Sequence, residues 1–378
     1  MNNKIQSPYD HPLRYHLSEF RKKHFRCDFI LLSAIVLLAM LGLFILYSAS
    51  NENTAMIQNQ IMRLLLGMGL MLALAQISPE RYQQWSPWLY FIALFMLIAV
   101  LFIGHVGQGA RRWIGFGAFR FQPSEIMKLA MPMMLAWFFS DKTLPPRFKY
   151  LSISSLILLV PVLLTAKQPD LGTAIIIFSS GFCVLLLAGL GWRILLSLAV
   201  LGGISFPVVW HFMHHYQKER VMTFLNPERD PLGSGYHIIQ SKIAIGSGGF
   251  LGKGWLHGTQ SHLSFLPAHA TDFIFAVSSE ELGFLGSLGI LVVLMLVLGR
   301  CLYISSQAST NFTRLLAGSL SLTFIISAFV NIGMVIGVLP VVGVPLPLIS
   351  YGGSSIVTTM VSFGIIMSIQ THKKLWST

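Results

Sequence analysis

The sequence predicts an all-α, polytopic integral membrane protein with about ten transmembrane helices. Hydrophobic residues make up 54% of the 378-residue chain, and charged residues only 11%. Soluble domains carry about 25% charged residues, and the mean hydropathy of this chain is +0.68. Apolar runs also recur at close to the ~20 residues that a helix needs to cross a bilayer. These runs are predicted to be helical because lipid offers no hydrogen-bond partner to an unpaired backbone.

The candidate spans follow one another from the N-terminal to the C-terminal part of the chain. They are Phe29–Ser48, Met62–Ile77, Trp88–Ile103, Ile126–Phe139, Leu151–Ala166, Thr173–Leu190, Ile194–Met213, Phe273–Leu302, Leu315–Val338 and Ile356–Ile369. The polar stretch at about 213–271 predicts a long extracytoplasmic loop between the seventh and eighth spans. We therefore expect a basic leader at 1–26, a single transmembrane domain at 27–370 and a short tail at 371–378.

Basic residues predict the orientation of the spans. Cytoplasmic loops carry an excess of Lys and Arg, and a basic cluster precedes the first span at Arg21, Lys22, Lys23 and Arg26. Most later basic residues fall on the same side, which predicts an even number of spans and cytoplasmic N- and C-termini. Exceptions occur at Arg111, Arg112, Arg120 and Lys167. No cleavable signal peptide is predicted, so the first span should remain as an anchor.

Composition also limits the ligands that the chain can be expected to bind. The net charge is +12, but no nucleic-acid-binding motif is present, and the cytoplasmic basic bias explains much of the excess. Cys27, Cys183 and Cys301 lie in or beside separate spans. We interpret these cysteines as small apolar residues, and not as part of a disulfide framework or a thiolate metal site. We expect no nucleic acid and no organic cofactor.

Asp272 is the most informative single residue in the sequence. It follows a polar stretch and directly precedes the apolar run Phe273–Val277. Only 14 residues of the chain are acidic, and a carboxylate near lipid is disfavoured unless it has a function. One interpretation is a helix N-cap at the membrane interface, since Thr271 and Asp272 are both good capping residues. The other is a functional carboxylate at the membrane surface.

Further polar residues are predicted to lie at the same side of the membrane. Arg111 and Arg112 precede Trp113, and two neighbouring guanidinium groups can bind phosphate in a bidentate manner. Arginines that extend to lipid headgroups are the alternative. Glu125 and Lys128 are one helical turn apart, and they could instead simply pair with each other.

The long loop contains two recognisable patterns. Tyr236–Ile245 alternates isoleucines with polar residues as a short interfacial helix does. The next segment, Gly246–Gly254, is rich in glycine but lacks the Walker spacing, because Ser247 and Gly254 stand at required positions. It could present backbone N–H groups to a phosphate, or it could be a surface loop.

A histidine cluster near the end of the seventh span has the spacing of a possible metal site. His211, His215 and Glu219 share a helix face next to His214, which is a spacing that zinc can use. Interfacial histidines are the simpler interpretation, so the sequence predicts no metal-ligand set.

Several motifs give the chain a family resemblance. It resembles the SEDS proteins of bacterial cell-wall synthesis, and their rod-shape member more closely than their division member. The resemblance covers the chain from about Cys27 onward and depends on Gln168–Thr173, Gly252–Ser261, Leu266-Pro267, Thr271–Ala276, Glu280–Gly283 and Pro347–Ser354. The chain departs from the family pattern Leu-Pro-Glu-x-His-Thr-Asp-Phe, because Ala268 and Ala270 replace the Glu and the His, with His269 between them.

The resemblance implies a ten-helix peptidoglycan glycosyltransferase of cell elongation. Its substrate would be lipid II, a disaccharide-peptide on undecaprenyl diphosphate. Its partners would be a class B penicillin-binding protein, other rod-complex morphology proteins and membrane lipid. Asp272 would be the essential aspartate, acting as a base in an inverting displacement that a divalent cation (Mg or Mn) could assist. The substrate-binding candidates are Arg111, Arg112, Glu125, Lys128, Lys167, Asp170, Arg220, Lys253, Glu280 and Ser350.

Two alternatives belong to other functional classes. A flippase for lipid-linked precursors would also carry charged residues in its spans and Pro/Gly-broken helices. Such a protein should place polar groups at mid-membrane depth, whereas here they are predicted at the outer ends of the spans. A non-catalytic scaffold for the penicillin-binding protein is the third possibility.

Overall fold

The computed structural model describes residues 27–107, 110–116, 119–213, 215–229, 234–259 and 268–372. In chain order the first helices and strands are α1 Phe29–Ala49, α2 Thr54–Ala75, α3 Pro79–Ile103, β1 His105–Gly107, β2 Ala110–Phe116, β3 Phe119–Phe121, α4 Pro123–Phe139, α5 Phe148–Lys167 and α6 Leu171–Leu187. The rest are α7 Trp192–Phe212, α8 His215–Leu225, α9 Ser234–Gly248, α10 Ile274–Ser306, α11 Asn311–Ile336 and α12 Ser354–Thr371.

The predicted all-α membrane fold is confirmed. Each of the ten predicted spans coincides with a helix, and the helices are α1 to α7 and α10 to α12. Among the described residues, seven helices can cross a membrane by length and composition, namely α1, α2, α3, α5, α10, α11 and α12. Two shorter apolar stretches lie at Leu171–Leu187 and Trp192–Ser205. The number of ten membrane spans therefore stays a prediction.

Capping residues explain where several helices begin. Asp28 accepts the N–H of Leu31 at the start of α1, at 2.9 Å. Asn53 accepts the N–H of Met56, so α2 begins eight residues before the predicted Met62. Apolar periodicity missed this polar first part of α2. The earlier start places Arg63 well inside the helix rather than at its edge.

The helices differ in how deeply they are buried, so that some are central and others are peripheral. In α11, 61% of the apolar segment is buried, compared with 22% in α2. Helix α11 packs against α10, α6 and α4, while α2 packs mainly against α12. An ion pair fastens α1 to α10, because Arg300 Nη2 lies 2.6 Å from Asp28 Oδ2. The α11 helix is therefore the centre around which polar residues of the loops can be fixed.

A small antiparallel sheet between α3 and α4 was not predicted from the sequence. It has the order β1-β2-β3 among the described residues. Val106 pairs with Arg111, and Ile114 pairs with Phe121. Two of the strands have three residues and the third has seven. An alternation of polar and apolar residues over so few positions does not stand out beside the long apolar spans. The sheet carries Arg111 and Arg112 beside the end of α3.

The predicted long loop contains regular structure of its own. Helix α8, a 3₁₀ turn at Pro227–Arg229 and helix α9 occupy its described parts. The helix predicted at Tyr236–Ile245 is confirmed as α9, while its place in the membrane interface stays a prediction. Helix α10 is interrupted at Gly283, whose φ of 66° and ψ of −161° are not helical. The chain thus changes direction eleven residues after Asp272.

Candidate functional site

Asp272 lies in a tight turn at 268–273 that leads into α10. The carbonyl of Ala268 accepts the N–H groups of Thr271 and Phe273, at 3.0 and 3.3 Å. Burial raises the pKa of the Asp272 carboxyl, and the nearby positive charge of Arg220 partly opposes this effect. A carboxylate in such surroundings is poorly solvated and holds a proton more tightly than an exposed aspartate does. The turn therefore presents a carboxylate of increased basicity.

Ser350 and Tyr351 fasten this turn to the segment before α12. The Ser350 hydroxyl donates to the carbonyl of Thr271 at 2.6 Å and accepts the N–H of Leu346 at 2.8 Å. The N–H of Tyr351 donates to the carbonyl of Ala270 at 2.9 Å. Ser350 is buried. Its role in the structure is to hold the backbone beside Asp272.

Asn331 makes a second connection, from the buried face of α11. Its Nδ2 donates to the carbonyl of Asp272 and to the carbonyl of Val344, both at 2.8 Å. The side chain of Asn331 is fully buried. The sequence revealed Asn331 only as a polar residue inside an apolar span. Its connection to Asp272, 59 residues away, could not be read from the sequence.

Gly343 keeps the space beside the Asp272 carboxylate open. Its φ of +74° lies in the left-handed region that favours glycine. A Cβ at this position would lie 3.7 Å from Asp272 Oδ2. The Pro/Gly-rich segment before α12 was visible in the sequence, but the contact of this particular glycine with Asp272 was not.

Glu125 and Lys128 form a buried network that reaches the same segment from α4. Lys128 Nζ lies 2.7 Å from Glu125 Oε1, and Thr358 donates to Glu125 Oε2 at 2.8 Å. Lys128 also lines a cavity of about 60 Å³ together with Ser350 and residues of α11 and α12. The structure therefore confirms that Glu125 and Lys128 pair with each other. It also places Lys128 at the wall of a cavity that Ser350, the residue that holds the Asp272 turn, lines as well.

Arg112 and Asp170 form a separate pair. Their closest side-chain atoms are 3.8 Å apart. Arg112 also donates to the carbonyls of Gln168 and Pro169. Asp170 accepts the N–H of Thr173 as the N-cap of α6 and accepts Gln122 Nε2 at 2.8 Å. These contacts hold the connection between α5 and α6 in place, so a phosphate would have to compete with them.

Lys253 and Glu280 form a third pair, at the break in α10. Lys253 Nζ lies 2.7 Å from Glu280 Oε1, which also accepts the N–H and the hydroxyl of Thr259 at 2.9 Å. The backbone N–H groups of Lys253 and Gly254 donate to the carbonyls of Glu280 and Glu281. These two N–H groups bind α10, so they are not presented to a phosphate. The phosphate-nest interpretation of this glycine-rich segment is wrong for them.

The remaining predicted residues are more scattered. Lys167 is the exposed last residue of α5, and Arg111 lies in β2 with its side chain outside the described residues. Arg220 lies in α8 and is close enough to Asp272 to act on its pKa. Among the described residues, no three His, Cys, Asp or Glu side chains converge as a metal site, and His214 lies outside them. A divalent cation stays an expectation.

The fold and these contacts define a multi-pass membrane protein with a half-buried carboxylate in a turn at the start of α10. Comparison with known proteins gives the family. The family model for FtsW, RodA and SpoVE, described as cell cycle proteins, matches residues 28–375. The chain belongs to this family.

Individual relatives agree with this assignment. The peptidoglycan glycosyltransferase MrdB of Escherichia coli K12 is 51% identical over 346 residues, covering 91% of this chain and 94% of MrdB. The peptidoglycan glycosyltransferase RodA of Treponema pallidum is 32% identical, covering 92% and 98%. The crystal structure of Thermus thermophilus rod shape determining protein RodA has a TM-score of 0.70 at 26% identity, covering 93% and 100%.

A second solved structure is a chain of a peptidoglycan synthase complex that coordinates polymerization and crosslinking. It matches with a TM-score of 0.80 at 33% identity, covering 91% of this chain and 97% of that chain. The predicted resemblance to the family, and to its RodA-type members, is therefore confirmed.

Proposed function

We propose that this protein is a peptidoglycan glycosyltransferase that polymerises lipid II into glycan strands during cell elongation and rod-shape maintenance. The single observation that carries the chemistry is the half-buried carboxylate of Asp272, on a turn whose backbone carbonyls are held by Ser350 and Asn331. The 51% identity to a peptidoglycan glycosyltransferase over nearly the whole chain supports the reaction class. The elongation role follows from the RodA-type relatives.

Asp272 would act as the general base. It would take the proton from the acceptor sugar hydroxyl while that oxygen attacks the anomeric carbon, and the lipid diphosphate would leave with the electrons of the broken bond. The raised pKa makes this carboxylate a stronger base than an exposed aspartate. A single in-line displacement inverts the anomeric configuration, so no covalent enzyme intermediate is needed.

The partner would be a class B penicillin-binding protein, which supplies the crosslinking activity. The similarity to a chain of a polymerizing and crosslinking synthase complex supports this expectation. The protein would lie in the bacterial inner membrane with both termini in the cytoplasm, as its basic residues predict. A divalent cation would help the diphosphate to leave, as metal ions do when they stabilise a developing negative charge.

A reconstituted polymerisation assay tests the function. The purified protein is supplied with lipid II, with and without the partner, and the glycan polymer is measured by gel electrophoresis. We expect polymer from the parent and from Asp141→Asn, a control at an exposed aspartate. We expect none from Asp272→Ala at an unchanged melting temperature. Transport of lipid II without polymer would indicate a flippase, and no activity in any mixture would indicate a scaffold.

A further inference from the structure

Arg63 is a cationic residue inside a membrane helix, and its side chain has no function assigned so far. It follows the first residue of α2, Thr54, by nine positions, which is about 14 Å along the helix axis. An ionisable residue at such a depth is costly and usually serves a substrate or ion. The helix α2 is one of those long and apolar enough to cross a membrane.

The contacts of Arg63 differ from those of the neighbouring cations. Its guanidinium carbon lies 4.6 Å from the ring centroid of Tyr351. Among the described residues, no carboxylate lies within ion-pair distance of Arg63 and no acceptor binds its N–H groups. Lys128 and Lys253, in contrast, each pair with a glutamate at 2.7 Å. Arg63 is only half-buried, so a ligand can approach it.

The cation–π contact with Tyr351 leaves the N–H groups of Arg63 without a hydrogen-bond acceptor among the described residues. The five N–H donors lie in the plane of the guanidinium, where they match phosphate oxygens. Tyr351 in turn donates its N–H to Ala270 at 2.9 Å. Arg63 is therefore connected through one residue to the turn that carries Asp272.

Gln60 adds a second unsatisfied group one helical turn away from Arg63. Its side chain is 1% exposed, and its Nε2 donates to the carbonyl of Ser350 at 3.1 Å. Its Oε1 is buried and has no hydrogen-bond partner. A buried amide oxygen without a donor is uncommon in native structures. A hydroxyl or amide of a bound molecule beside Ser350 and Tyr351 would supply that donor.

The start of α12 lies next to Tyr351 and favours an anion there. Gly353 is the N-cap of α12 and provides no side-chain hydrogen bond. The first N–H groups of a helix carry a partial positive charge and have no intrahelical acceptor. A Cβ at Gly353 would have no atom within 4 Å, so the space in front of it is open. The start of α12, the guanidinium of Arg63 and the amide of Gln60 are therefore all connected to the short segment Ser350–Gly353.

We propose that Arg63 and the start of α12 bind the diphosphate of the lipid-linked substrate beside Asp272, while Gln60 Oε1 accepts from a sugar hydroxyl or amide of the same molecule. This inference rests on the proposed function, which requires a lipid diphosphate within reach of that carboxylate. A phospholipid headgroup offers the same phosphate chemistry. The connection of Arg63 through Tyr351 to the Asp272 turn favours the substrate, because the reacting diphosphate must lie within reach of that carboxylate.

Native mass spectrometry of the full-length protein in detergent tests the site without turnover. The probes are undecaprenyl diphosphate and, separately, phosphatidylglycerol. We expect Arg63→Gln to weaken undecaprenyl diphosphate binding by about tenfold or more, since a charge-assisted bidentate contact is lost. The affinity of Arg63→Lys for undecaprenyl diphosphate should lie between those of Arg63→Gln and the parent, because lysine keeps the charge but loses the bidentate guanidinium geometry. Arg81→Gln, at an exposed arginine of α3, is the matched control and should bind as the parent does.

Two results would overturn the proposal. One is equal binding of undecaprenyl diphosphate by the parent and by a folded Arg63→Gln variant. The other is an equal loss of phosphatidylglycerol binding in the Arg63→Gln variant, which would make Arg63 a contact for phospholipid headgroups. Melting temperatures show whether each variant is folded. If the parent polymerises lipid II while Arg63→Gln binds normally, only this inference fails. If the parent itself makes no polymer, the proposed function fails instead.

Discussion

Asn331 should be a positioning residue for Asp272, and Asn331→Leu tests this. The substitution keeps the side-chain volume but removes the Nδ2 that binds the carbonyls of Asp272 and Val344. Both carbonyls would then lack this donor in a buried site. The carboxylate itself stays in the protein, so any loss of activity would come from its placement.

The structure allows the size of the effect to be estimated. Hydrogen bonds between membrane helices contribute about 0.6 kcal/mol on average and at most about 1.7 kcal/mol, so two bonds amount to roughly 1–3 kcal/mol. Most membrane proteins of this size should remain folded after such a loss. A displacement of a catalytic group by about 1 Å costs about 10²-fold in rate. We therefore expect kcat to fall by about 10²-fold, with a much smaller change in KM.

The measurement is the lipid II polymerisation rate as a function of lipid II concentration. The matched control is Ser319→Ala, a fully buried residue of the same helix whose hydroxyl donates only to Leu316 of its own helix. Ser319→Ala should keep the kcat of the parent. If a folded Asn331→Leu variant also kept the kcat of the parent, the contact with Asp272 would be structural and the reasoning would be refuted.

Four further predictions concern the surroundings of Asp272. Because burial raises the pKa of Asp272 and the base must be deprotonated, kcat/KM should fall on the acid side at a pH above the ordinary aspartate value of about 3.9; a limb at that value would contradict its burial. Gly343→Val should lower kcat/KM, because a side chain at φ +74° is strained and would lie beside the carboxylate; parent kinetics would show that the space is unused. Arg112→Lys should raise the apparent KM and lower the melting temperature, since the fork to Pro169 and Asp170 is lost; unchanged kinetics would reduce Arg112 to an anchor. His269→Ala should leave the pH–rate profile nearly unchanged, and a large loss with an altered acid limb would show that His269 takes part in the reaction.

The sequence by itself determined the class of the protein, because the signals for membrane helices are local. Lipid thickness fixes the length of each apolar run, and all ten runs coincide with helices. Asp272 could be selected in the same way, since a carboxylate at the start of an apolar run is conspicuous without any tertiary information. The first residues of the helices were predicted less accurately. The polar first part of α2 is held by the cap at Asn53, which apolar periodicity does not detect.

The tertiary structure alone decided which charges are neutralised and which can meet a ligand. Arg112, Lys128 and Lys253 were all predicted from the sequence as substrate-binding residues, yet each is paired with a carboxylate in the fold. Arg63 was not among the predicted residues, and its guanidinium lies over the ring of Tyr351 with no carboxylate partner among the described residues. The physical reason is that such pairs join residues far apart in the chain. Their distances depend on how whole helices pack, which no local pattern encodes.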